Sequence, residues 1–125
     1  MINENRTLST RSRIIELLQL FQSEKEQVSY EAKVPHVDIT IELSCMWFDD
    51  QYHPNNSLFI SFFTAEELSV LEEFNSFYKN RIGKLPPSQG TIRGWLSSSV
   101  WREIMEKAKE TLYFLEPKAL KKQNE

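Results

Sequence analysis

Asp49, Asp50 and His53 fall within a five-residue window, and two carboxylates with an imidazole at that spacing supply the donor types of a divalent-metal site. Such a site needs a further protein ligand or substrate oxygens, and only His36 and scattered acids are there to complete it. On that reading the chain is a metal-dependent hydrolase using Asp49, Asp50 and His53. The plainer reading is a solvated loop in which the Asp side chains bond nearby amides, and it leads us to expect no metal and no cofactor.

The other candidates for chemistry lack partners. Cys45 with His36 or His53 has the parts of a nucleophile and its base, but Cys45 shares the phase of apolar neighbours and reads as a small core residue. Gly83-Lys84 lacks the earlier glycine and the following Ser or Thr of a phosphate-binding loop. Ser97-Ser98-Ser99 has no histidine nearby and sits where a helix cap belongs. No catalytic residue is expected, and the chain reads as a non-enzymatic protein.

The elements that position these residues follow from periodicity. Val37, Ile39, Ile41, Leu43, Cys45 and Trp47 alternate with Asp38, Thr40, Glu42 and Ser44, and period two predicts a strand with one buried face. Leu58 to Phe63 is apolar on both phases and predicts a second strand, joined to the first by the Asp49–Ser57 loop as an antiparallel pair. Before them, Ser9 or Thr10 can cap a helix running to about Gln27 on Ile14, Leu17, Leu18 and Phe21; residues 28–36 form a connector able to add a third strand. After them, Thr64 and Glu67 make a capping box for a helix from Ala65 to a stop at Gly83. A connector at 84–90, a short turn around Trp95 and a last helix on Trp101, Ile104, Met105, Ala108, Leu112 and Leu115 complete the chain. The predicted fold is therefore α+β: a small antiparallel sheet of two or three strands packed against three to four helices. We expect a flexible N-terminus over 1–9, one domain over 10–116 and a polar tail over 117–125.

At 125 residues, with 40% hydrophobic content and eight Phe, three Trp and four Tyr, the chain can bury one core. It shows no secretory leader and no membrane-spanning run, and its one cysteine cannot close an internal disulfide; a cytoplasmic, soluble protein is expected. Its net charge of −3 is unevenly laid out. Val34 to Tyr78 carries eight acids and no Lys or Arg, whereas Lys79 to Arg102 carries five cations and no acid. An acidic block repels nucleic acid and steers a basic protein. Phe48 and Met46, on the polar phase beside Asp49 and Asp50, would form an apolar spot ringed by acids if no helix covers them.

Met46-Trp47-Phe48-Asp49-Asp50 with Tyr52 and Pro54, then Glu67-Leu68, Phe74-Asn75, Leu85-Pro86 and Trp101 ahead of an amphipathic helix, resembles small bacterial proteins. In character the chain is similar to the immunity proteins of contact-dependent growth inhibition and related toxin systems. The resemblance implies a protein that neutralises the C-terminal domain of a cognate toxin, often a basic nuclease. The expected contacts are Asp49, Asp50, Glu66, Glu67, Glu72 and Glu73, with Phe48 and Tyr52 as apolar anchors. The alternative is an intracellular adaptor or regulatory subunit, which has the same acidity and a different partner.

Overall fold

The computed structural model describes residues 9–86 and 91–117, and among them every regular element is helical. Helix α1 (Thr10–Gln22) starts at Ser9, whose hydroxyl accepts from the Ser12 amide at 3.1 Å, and buries Ile14, Leu17, Leu18 and Phe21. It stops five residues short of the expected Gln27 because Ser23 takes extended angles (φ −118°, ψ 111°) and caps a second helix, α2 (Glu24–Lys33). The connector at 28–36 is thus no third strand; its first six residues are the end of α2. Gln27 seals the break: fully buried, it donates to the Leu20 and Phe21 carbonyls at 3.1 and 2.8 Å and accepts from the Trp101 indole at 3.0 Å. These bonds supply donors to C-terminal carbonyls of α1, of which Leu20 also accepts from the Ser23 amide at 3.3 Å.

The expected sheet is overturned. Ile39–Cys45 is helix α3, begun by Asp38, whose carboxylate accepts from the Thr40 amide and hydroxyl at 3.1 and 2.6 Å. The buried residues are Ile39, Leu43 and then Trp47, an i, i+4, i+8 series, with Thr40 beside them, while Ile41 is 61% exposed and Cys45 half-buried. The second expected strand is a single turn, α4 (Ser57–Ile60), capped by Asn56 Oδ1 on the Phe59 amide at 2.9 Å. Phe59 and Phe63, four apart, are buried and Leu58 is 65% exposed, so the segment is covered on one side only. The α+β assignment is corrected to all-helical for the described residues.

The later elements match their signals. Helix α5 (Ala65–Ile82) carries both bonds of the Thr64/Glu67 capping box, 3.1 Å and 2.9 Å, and ends at Gly83, which keeps a right-handed φ of −72°. Helix α6 (Ile92–Leu96) surrounds Trp95, and α7 (Ser99–Leu115) starts at Ser98 and buries the expected stripe together with Thr111. Arg11 with Leu115, and Phe21 with Trp101, set α1 antiparallel to α7; Arg81 with Glu103 does the same for α5. Phe21 sits where they meet, its ring within 5.6–6.4 Å of Trp47, Phe74, Tyr78 and Trp101. The buried apolar side chains form one cluster to which most of these helices contribute. Expectations for residues 1–8, 87–90 and 118–125 lie outside the described residues.

Candidate functional site

Between α3 and α4 the chain winds as a π-helix over Met46–Gln51, closed by the Tyr52 amide on the Trp47 carbonyl at 3.1 Å. Five residues of α-helix would turn two side chains about 140° apart. The wider winding instead stacks Trp47 and Tyr52 face to face, 4.8 Å apart and 11° from parallel. Trp47 is further fixed by its indole N–H donating to Asn75 Oδ1 at 3.0 Å. With that pair turned inward, Asp49 and Asp50 face outward and are exposed, and no ion pair holds them among the described residues. A locally unusual helix therefore aims two carboxylates at solvent from a well-packed base.

The structure sorts the remaining expected contacts. Tyr52 is only 7% exposed, and its hydroxyl donates to Glu72 Oε1 at 2.6 Å while Ser76 donates to Glu72 Oε2 at 3.1 Å. Burial, then the Glu72 carboxylate, pushes the Tyr52 phenol up. Tyr52 is a strut rather than a surface anchor. Phe48 is half-buried against Tyr78, with ring centroids 4.8 Å apart. Glu67 is committed as well: Arg11 grips both its oxygens at 2.7 and 2.8 Å, and the side chain is 12% exposed. The Arg11 bonds hold the Glu67 carboxyl below the usual range against the opposing effect of burial, with help from the Thr64 amide. Glu73 lies 3.8 Å from Lys107, and Glu66 is exposed on the first turn of α5.

Part of the basic block is neutralised by the fold. Arg81 pairs with Glu103 at 3.1 Å and stacks 3.4 Å over the Phe77 ring, and Arg102 pairs with Glu24 at 3.0 Å. Among the described residues Asp49, Asp50 and Glu66 enter no ion pair, so these acids keep their charge at the surface.

A cleft of about 590 Å³ opens between α1, α2, α3 and the π-helix, and sequence reasoning missed it. Leu20, Tyr30 and Met46 give it a half-buried apolar lining, and Glu16, Glu26, Glu42 and Asp50 supply carboxylates. Arg13 and Lys33 are the cations that line it, so acids outnumber cations four to two. The Tyr30 hydroxyl donates to Glu42 Oε2 at 3.4 Å, joining α2 to α3. Burial raises the Tyr30 phenol, with the Glu42 charge adding to it, and burial likewise raises the Glu26 carboxyl against the pull of Lys25. Met46 rather than Phe48 is the apolar residue set among acids. Of this lining only Met46 and Asp50 were singled out from the sequence; Glu16 and Glu26 lie on α1 and α2, well before Asp50 in the chain, and join it only through tertiary packing.

The catalytic candidates are otherwise engaged. His53 is exposed, with Nε2 2.9 Å from the Asp50 carbonyl oxygen. No group of three His, Cys, Asp or Glu side chains among the described residues could hold a metal ion. Burial, then Asp49, raises the Cys45 thiol, which disfavours the thiolate a nucleophile needs. Ser98 spends its hydroxyl on the Val100 and Trp101 amides, and Ser97 donates to the Arg93 carbonyl. No described helix is long and apolar enough to cross a membrane. No family model, curated protein or solved structure matches the chain.

Proposed function

We propose that the protein is a non-enzymatic, cytoplasmic inhibitor of the immunity type, which neutralises a basic toxin domain by covering its cationic surface with acids. The observation that carries this reading is the outward pair Asp49 and Asp50, exposed, in no ion pair among the described residues and set on the stacked Trp47–Tyr52 base. Rigid placement matters because a preorganised carboxylate loses little freedom when a partner's Arg or Lys arrives. Exposed charges of one sign also speed the encounter, an effect that salt weakens. Glu66 extends the acidic surface along α5, where Glu73 is exposed but shares its charge with Lys107 at 3.8 Å, whereas Glu67 and Glu72 contribute through the fold by holding Arg11 and Tyr52.

The test is co-purification with the product of the gene immediately upstream, at low and high salt. The expected result is a salt-sensitive complex that protects cells from that product and is lost when Asp49→Lys, Asp50→Lys, Glu66→Lys and Glu73→Lys are combined. A complex indifferent to both salt and these reversals would sink the acidic-surface reading.

A further inference from the structure

The cleft between α1, α2, α3 and the π-helix has features that an exposed acidic patch lacks. Its volume of about 590 Å³ falls within the roughly 300–1,000 Å³ common for binding pockets. Its lining combines apolar surface from Leu20 and Met46, an aromatic ring from Tyr30, and carboxylates on α1, α2, α3 and the π-helix. We propose that this cleft is the docking site for a basic segment of the protein partner, receiving an Arg or Lys side chain over Leu20, Tyr30 and Met46 with its charged head between Glu42 and Asp50. The inference rests on the inhibitor reading and names where that partner binds.

Charge and shape both select this occupant. A long cationic side chain is apolar along its stem and charged at its tip, which matches an apolar lining beside carboxylates. Met46 is flexible enough to adjust to the stem, and the Tyr30 ring offers a face on which a guanidinium stacks. Glu42 is held at the cleft by the Tyr30 hydroxyl on one oxygen, and a carboxylate has further lone pairs for an incoming donor. The excess of acids over Arg13 and Lys33 favours a cation over an anion.

The experiment is a titration of the full chain with a short blocked peptide of alternating Leu and Arg, followed by backbone amide NMR, with the Leu/Glu counterpart as control. The expected shifts concentrate at Leu20, Tyr30, Met46 and Asp50, and the Glu42→Gln/Asp50→Asn variant binds about tenfold more weakly. A Glu106→Gln variant, altered on the exposed side of α7 away from both the cleft and the acidic surface, binds as the parent does. Shifts spread evenly over the acidic surface, or affinity unchanged in the Glu42/Asp50 variant, would overturn the cleft and leave the inhibitor reading standing. No binding of the Leu/Arg peptide overturns the cleft too, and co-purification with the upstream product then decides separately whether the inhibitor reading survives.

Discussion

At the scale of single residues, two polar side chains, the half-buried Arg11 and the buried Gln27, carry more of the fold than their number suggests. Arg11 gathers Glu67, the Phe62 and Leu115 carbonyls and the Phe63 ring, tying the start of α1 to the start of α5 and the end of α7. Because the folded-state Glu67 carboxyl is held below its ordinary value, its contribution is present above the unfolded pKa and is lost as pH falls through the folded one. Glu67→Gln should therefore destabilise the protein by about 1–2 kcal/mol at neutral pH and make little difference in strong acid, as urea titrations across pH would read. Gln27→Leu strands the Trp101 indole and takes from the Phe21 carbonyl its Gln27 donor, while the Leu20 carbonyl keeps the Ser23 amide at 3.3 Å. Its expected cost is about 2–4 kcal/mol, with a matching fall in the urea midpoint. Neither partner was legible in the sequence, since Arg11 meets Glu67 across 56 positions and Gln27 meets Trp101 across 74.

At the scale of elements, the helices with unambiguous ends were readable and those with an ambiguous period were not. Thr64 and Glu67, the Ser97–Ser99 run and the clean stripe of α7 announced their helices. Val37 to Trp47 misled because any period-two run contains an i, i+4, i+8 series, here Ile39, Leu43 and Trp47, and β-branched Val37, Ile39, Thr40 and Ile41 favour strands locally. Burial on the helical period won, because the core accepts Ile39, Leu43 and Trp47 and leaves Ile41 outside. The signals that separate the two periods were the caps Asp38 and Asn56, which start helices where strands were expected. Asp38→Ala removes the cap of α3 and the acceptor of the buried Thr40 hydroxyl, so it should cost about 1–2 kcal/mol. Thermal unfolding should fall by several degrees while far-UV circular dichroism stays helical. A strand-like spectrum from the parent chain would contradict the whole assignment.

For the whole molecule, the sequence showed that charge was segregated but not which charges the fold would leave exposed. Packing α5 antiparallel to α7 pairs Arg81 with Glu103 and Glu73 with Lys107, and Arg102 reaches Glu24 on α2. Asp49 and Asp50, lifted outward by the π-helix, escape this neutralisation, and packing α1 and α2 beside α3 brings Glu16 and Glu26 to the same cleft as Asp50. The central claim is that the partner binds on this side of the molecule. Its most direct test is hydrogen–deuterium exchange of the chain with and without the upstream gene's product. The account predicts slowed exchange over Glu42–Gln51 and along the cleft-lining parts of α1 and α2, with α7 unchanged; slowing confined to α5 and α7 would contradict it.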